Sequence, residues 1–370
     1  MKIFTATTAH NHLLALTLTG LLSGCASDTP PYRNQYPIPQ PRSTAPSLPH
    51  IAAKPTISQP PPARPYRSPS ANNGSFYHYA SPTLTGTYAN YGSVRNFIQH
   101  MVQKHGFSES YLNGLFSQAN RLDSVIRLES PAPSPGPSRP GSWSRYRSKF
   151  LTDAHINNGA DFWRENANAI QKASALYGVD PEYIVAIIGV ETYFGRNIGK
   201  TCIFDSLTTL AFDTHRRNKF FTSELENFLL MTREEDYDPR QPVGSWAGAM
   251  GLGQFMPSSF RRLAVDFNHD GRRDLWHQHD AIGSVANYFS HSGWRHNNPV
   301  AKPAGRSNDA SVIELSTYEG NEYWRVYPNF KVIKSYNNSN KYAMAVHQLA
   351  QAIKQRVIHS GQIVGSAGTP

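Results

Sequence analysis

The chain has 370 residues, with 36 Lys and Arg against 26 Asp and Glu, a formal net charge of +10. That length admits one large domain or two ordinary ones, and two cysteines exclude a disulfide-stapled scaffold. The charge does not point to nucleic acid, because residues 1–108 carry +7 of it (eight basic side chains against Asp28 alone) and residues 109–370 only +3.

Residues 1–25 read as an export signal. Lys2 supplies a weak positive start and Leu13 to Leu22 a short apolar run, too short to span a bilayer as a helix. Leu22-Ser23-Gly24-Cys25 then has the form of a lipoprotein cleavage site, which makes Cys25 the expected lipidation site. Ala26 stands where an Asp would signal inner-membrane retention, so the periplasmic face of the outer membrane is the expected location, with a soluble periplasmic form if the anchor is cleaved. An ordinary secretory signal with a coincidental cysteine is the alternative. With Cys25 modified, only Cys202 remains, and a core without disulfides must hold the fold.

Residues 26–88 are expected to form a Pro-rich disordered tether, since thirteen of the 27 prolines fall between Pro30 and Pro69. Extended at roughly 3 Å per residue, such a spacer reaches on the order of 100 Å. Order is predicted from about Tyr91, where Val94, Phe97, Ile98, Met101 and Val102 recur at helical spacing before His105-Gly106. A second helix follows from Ser108 to about Ala119, then a Pro-rich loop over 131–140, and Trp143, Tyr146 and Phe150 restart the apolar pattern. One helix is predicted from Asp161 to Tyr177, others over Leu207–Phe212 and Phe220–Met231, and a long one over Tyr342–Val357. Only Ser311–Tyr318 and Tyr323–Ile333 alternate enough to suggest strands. The expected body is therefore mainly α with a small β element, a catalytic unit over 89–358 followed by a flexible tail over 359–370.

Two stretches carry chemistry. Asp180 is a good N-cap and Pro181 fits the first turn of a helix whose apolar run is unbroken from Tyr183 to Glu191. Ile187 and Ile188 lie one turn before Glu191, so its carboxyl sits on an apolar helix, and burial would raise its pKa toward that of a usable acid. Taken alone, a helix-terminal Glu could equally face solvent. Gly244 to Phe260 packs four glycines and two alanines into its first ten residues, which lets a backbone or ligand approach closely. Ser245 and Gln254 there can hydrogen-bond hydroxyl or acetamido groups. A tight helix contact is the other reading.

Together, Glu-Thr-Tyr-Phe-Gly-Arg at 191–196 and Ala-Gly-Ala-Met-Gly-Leu-Gly-Gln-Phe-Met-Pro-Ser-Ser at 247–259 closely resemble the lytic murein transglycosylases, best the membrane-bound lytic murein transglycosylase B family. Matches at 280–289, 328–330 and 342–346 extend the likeness, which runs from about Trp143 to Leu349. The resemblance implies a lysozyme-like α core with an additional helical subdomain and an inserted EF-hand-like loop. It implies cleavage of the β-1,4 bond between N-acetylmuramic acid and N-acetylglucosamine in peptidoglycan, with Glu191 as acid and then base and a 1,6-anhydromuramyl product. It also implies that Ser245 and Gln254 lie near the acid, that Tyr146, Tyr288, Tyr336 and Tyr342 line the glycan groove and that Asn337 contacts a polar sugar group. Arg216 and Arg217 would meet stem or lactyl carboxylates. Other cell-wall enzymes are possible partners.

Asp266-Phe267-Asn268-His269-Asp270-Gly271 fits the start of a calcium loop, but His277 stands where a bidentate Glu closes an EF-hand. The family resemblance implies a longer loop, with Asp266, Asn268, Asp270, the backbone oxygen of Arg272 and Asp280 holding a structural Ca2+. His269, Arg272 and Arg273 would weaken it, and a metal-free Asx turn is the alternative. No cofactor is expected for catalysis. A hydrolytic muramidase and a non-catalytic peptidoglycan-binding lipoprotein remain the competing functions.

Overall fold

The computed structural model describes residues 79–130 and 140–366, with side chains to residue 360. The export signal, Cys25, most of the tether and part of the Pro-rich loop lie outside the described residues.

Three short helices open the described chain, α1 (Gly92–His105), α2 (Glu109–Ser117) and α3 (Asp123–Glu129). Val94, Phe97, Ile98 and Met101 face inward from α1, as their spacing predicts, and Gly106 at φ 65° closes it in the left-handed conformation that glycine tolerates. Ser108 caps α2, its Oγ accepting from the Tyr111 N–H at 3.3 Å. Order begins earlier than Tyr91. Tyr79 is buried and donates to Asp238 Oδ1 at 2.6 Å, and Tyr88 is fully buried and donates to Asp213 Oδ2 at 2.9 Å. The composition of the tether carries no trace of these distant partners.

Next come α4 (Ser142–Arg147), α5 (Asp153–Glu165), α6 (Ala167–Tyr177) and α7 (Pro181–Thr192). The single helix predicted over Asp161–Tyr177 is two, broken at Asn166, which leaves helical dihedrals at φ −113° and ψ 23° while its side chain donates to the Phe162 carbonyl at 3.0 Å. At α7 every residue from Glu182 to Thr192 is buried, and the helix packs against α5 and α6. Ile184, Val185, Ile187 and Ile188 lose all exposure, worth about 2 kcal/mol each relative to solvent. Asp180 takes the N-cap position but does not cap. Its carboxylate accepts from Trp294 Nε1 at 2.8 Å and the Asn297 N–H at 3.1 Å, pinning the helix start to a distant loop.

The remainder contains β1 (Thr201–Cys202), α8 (Ile203–Phe212), α9 (Asn218–Glu234), β2 (Val243–Gly244), α10 (Pro257–Leu263) and α11 (Gln278–His291). It ends with β3 (Ala301–Ala304), β4 (Val312–Thr317), β5 (Gly320–Val326), α12 (Pro328–Tyr336) and α13 (Asn340–Ser366). β1 and β2 pair antiparallel, and β3, β5 and β4 form an antiparallel sheet in that order. The strand predicted over Tyr323–Ile333 stops at Val326 because Pro328 begins α12 at its first turn. The helix predicted over Tyr342–Val357 continues to Ser366, into the expected tail. α7 also packs against α11 and α13, so a ring of helices encloses it. No single described helix is long and apolar enough to cross a membrane.

Candidate active site

Glu191 sits in the last turn of α7, and the chain leaves that helix through an unusual turn. Tyr193, Phe194 and Gly195 all have positive φ, at 52°, 60° and 84°. Two consecutive non-glycine residues in that region hold a strained backbone that the surroundings must over-determine. Thr192 supplies part of the restraint. Its hydroxyl lies 3.1 Å from the Ile188 carbonyl and 3.0 Å from that of Leu252, and accepts from the Gly195 N–H at 3.0 Å. The Phe194 ring folds back under Gly189, where an added Cβ would stand 2.6 Å from Phe194 Cζ. His155 Nε2 lies 3.0 Å from the Gly189 carbonyl and must be the donor there.

The turn presents Glu191 at 7 % exposure. Burial pushes its carboxyl up to about 8, and the hydrogen bond from Tyr342 works against that rise. Tyr342, fully buried on α13, donates to Oε1 at 2.5 Å, while Oε2 is buried without a partner. The phenol engages Oε1, which leaves Oε2 as the oxygen without a protein partner.

Around this carboxyl the sequence-predicted residues fall into two layers. Tyr146 of α4 is half-buried, and burial together with the Glu191 charge raises its phenol. Tyr336 at the end of α12 is fully buried, feels the Glu191 charge, and donates to the Gly253 carbonyl. Tyr288 stands behind it, ring centroids 4.7 Å apart, with its hydroxyl spent on the Ser335 carbonyl at 2.7 Å. Asn337 is half-buried at the C-terminal cap of α12.

The glycine-rich stretch forms a tight loop rather than a helix contact. Ser245 Oγ accepts from the Ala249 N–H at 2.9 Å, so its hydroxyl shapes the loop. Gln254 holds φ 50° and donates from Nε2 to the carbonyls of Gly251 at 2.9 Å and Ile198 at 3.2 Å. Gly251 is obligatory, since a Cβ there would lie 2.3 Å from the Leu275 carbonyl oxygen.

Comparison with known proteins places this arrangement. Residues 89–314 and 302–351 match the transglycosylase SLT domain. The chain belongs to this family. It is 45% identical over 306 residues to membrane-bound lytic murein transglycosylase B of Escherichia coli K12, across 73% of this chain and 85% of that one. Its fold matches the Escherichia coli lytic transglycosylase SLT35 in complex with bulgecin A, with TM-score 0.70 and 44% identity over 75% of this chain and 97% of that one. The SLT35 structure in complex with calcium matches with TM-score 0.70 and 43% identity over the same shares. The similarity therefore reaches the helices before Trp143, further than the motifs suggest.

In this transglycosylase domain the two acids that follow Glu191 most closely in sequence, Asp205 and Asp213, are both engaged elsewhere. Asp205 accepts from the Asn120 N–H and side chain and from Arg240. Asp213 accepts from Tyr88, Tyr91 and Arg121. Both are structural clasps between the N-terminal helices and α8. Arg217 grips the buried Glu129, with Nε at 2.9 Å from Oε1, and Arg216 reaches the same carboxylate at 3.2 Å while remaining 53% exposed.

The loop from Asp266 to Asp280 is built from side-chain-to-backbone hydrogen bonds. Asp266 Oδ2 accepts from the Gly271 N–H at 2.9 Å, Asn268 Oδ1 from Asp270 at 3.0 Å, and Asp270 Oδ1 from Arg272 at 3.0 Å. Asp280, fully buried, accepts from the N–H groups of Phe267, Asn268 and Asp274 and so closes the loop from α11. Asp266 Oδ1 is buried without a partner. A hard oxygen set with one orphaned anionic oxygen fits a calcium ion. Thr192 and Asp180 were not legible as site-shaping residues, since no motif marks a hydroxyl or carboxylate whose partners lie in distant loops.

Proposed function

We propose that the chain is a lytic transglycosylase that cleaves the β-1,4 bond between N-acetylmuramic acid and N-acetylglucosamine in peptidoglycan. The observation that carries this reading is a single carboxyl, Glu191, buried, raised to about 8 and held by one phenol. At neutral pH it is mostly protonated, the state a general acid needs. Glu191 Oε2 gives its proton to the glycosidic oxygen as the bond to the muramyl C1 breaks. The 2-acetamido group of the substrate stabilises the oxocarbenium-like centre. Glu191, now a carboxylate, takes the proton of the muramyl 6-hydroxyl as O6 bonds to C1, which regenerates the acid and consumes no water.

Hydrolysis by two carboxyls requires an acid and a second base or nucleophile, and the engagements of Asp205 and Asp213 argue against either. Tyr146 and Asn337 supply half-exposed edges for the sugar. Tyr336, Tyr342 and Tyr288 shape the site from within, while Ser245 and Gln254 hold the loop opposite. Arg216, the more exposed of its pair, meets stem or lactyl carboxylates. Asp266, Asn268, Asp270, the Arg272 carbonyl and Asp280 hold a structural calcium, which the calcium complex of SLT35 supports. A lipid at Cys25 anchors the enzyme in the outer membrane on the periplasmic side.

Product mass tests the reaction. Digestion of purified peptidoglycan should release anhydromuramyl fragments, lighter by one water than muramidase products, and Glu191→Gln should release none. Reducing-end products would replace this reading with a hydrolase. Equal digestion by the variant would remove Glu191 from the chemistry.

A further inference from the structure

Helices α1 and α9 meet at a cluster that plays no part in the chemistry above. His100 and His105, both on α1, bring Nε2 to 3.2 Å from Glu226 Oε2 and 2.7 Å from Glu226 Oε1 on α9. The three candidate donor atoms lie within 4.8 Å of one another. A tetrahedral zinc ion at about 2.0–2.1 Å from nitrogen and oxygen ligands keeps them about 3.3 Å apart.

The backbone that carries this cluster is fixed. Gly106 ends α1 in the left-handed conformation, and Arg233 Nη1 donates to the His105 carbonyl at 2.7 Å. The C-terminal end of α1 adds negative partial charge beside the imidazole of His105. His100 and Glu226 also line a cleft of about 530 Å³ with Phe97, Phe212, Asn218 and Thr222, none of which belongs to the active site. His100 is 43% exposed, Glu226 20% and His105 18%, so an ion from solution can reach all three.

We propose that His100, His105 and Glu226 form a site for a zinc-class divalent cation, with two imidazoles and one carboxylate as protein ligands and water completing the shell from the cleft. Two nitrogens and one oxygen suit a borderline-soft ion rather than calcium or magnesium. Bound there, the ion clips α1 to α9. Lys104 is the competitor. Its ammonium donates to Glu226 Oε1 at 2.9 Å and is 57% exposed, so it withdraws into solvent when the cation arrives.

The test is Zn2+ binding to the metal-stripped full chain in saturating Ca2+, measured by calorimetry, with Co2+ absorbance as the reporter of a tetrahedral shell. The parent protein should bind one Zn2+ that His105→Ala and Glu226→Gln weaken by roughly tenfold or more. Lys104→Ala keeps every ligand and removes the competitor, so it should bind more tightly than the parent. Zn2+ should also raise the thermal midpoint of the parent and not of His105→Ala. Equal binding in His105→Ala and parent, or no tightening in Lys104→Ala, would overturn the site and leave a set of surface ion pairs.

Discussion

Replacing Glu191 with Gln separates the energetic cost of the acid from its chemistry. The folded carboxyl titrates near 8, against 4.5 for an ordinary glutamate. Between those values the native state holds a proton that the unfolded chain has released. More protons bound in the native state means that stability falls as pH rises, starting near 4.5 and levelling off near 8. At about 1.4 kcal/mol per tenfold change in proton activity, the cost at pH 7 is on the order of 3 kcal/mol. Glutamine has the same shape, carries no charge at any pH, and can accept from Tyr342 through its own oxygen. The variant should therefore match the parent at pH 4 and exceed it by about 3 kcal/mol at pH 7. Urea titrations of both proteins at intervals from pH 4 to 8 measure the difference, and other titrating groups cancel in it. A difference that does not change with pH, or a variant less stable at pH 7, would refute the burial of a neutral acid. Stabilisation with undiminished turnover would refute its role in catalysis.

Other consequences concern the partners of the site. Tyr342→Phe removes the bond that favours the ionised carboxylate. The alkaline limb of kcat/KM, expected near 8, should then move up by about one pH unit, and a pH profile that stays put assigns that limb to another group. Arg217→Ala leaves the buried Glu129 with only the outer guanidinium of Arg216, and denaturation should show a loss of about 1–3 kcal/mol. Arg216→Ala, at an exposed position, should cost less than about 1 kcal/mol and instead raise KM for stem-bearing glycan. Calcium should raise the melting midpoint of the parent. Asp266→Ala should abolish that increment in a thermal scan while leaving kcat at low temperature unchanged, and an increment that survives places the ion elsewhere.

The parts of this fold that sequence reading reached are those whose causes are local. Pro181 and the apolar run after it specify α7, and Gly106 and Gly178 end α1 and α6 in the left-handed conformation. Helix α11 escaped because small and polar groups are mixed into its buried face beside Ile282, Val285 and Phe289. Asp280 and Ser284 have no exposure, and Gly283 would place a Cβ 2.4 Å from the Phe267 ring, so polar and glycine positions blur the apolar period. The segment at Tyr79 and Tyr88 reads as tether by composition, yet each tyrosine is held by an acid over a hundred positions away.

The active site divides along the same line. Apolar neighbours in sequence allow Glu191 to be buried, the helices packed around α7 complete the burial, and burial raises its pKa. Which of its two oxygens is left without a protein partner is decided by Tyr342, 151 positions downstream. The turn that aims the carboxyl depends on a hydroxyl, that of Thr192, reaching the Leu252 carbonyl in the glycine-rich loop. That loop in turn takes the Tyr336 phenol at Gly253. Acid, loop and the α12–α13 corner are thus one hydrogen-bonded assembly, closed by groups that no local pattern distinguishes from ordinary core tyrosines and threonines. Cutting it at Thr192, with valine of similar size, should leave Glu191 buried but free to shift. Stability should fall by about 1–3 kcal/mol for the unpaired carbonyl, and kcat should fall further than KM rises. A variant that loses stability without that asymmetry in the kinetics would show that the turn holds the fold and not the acid.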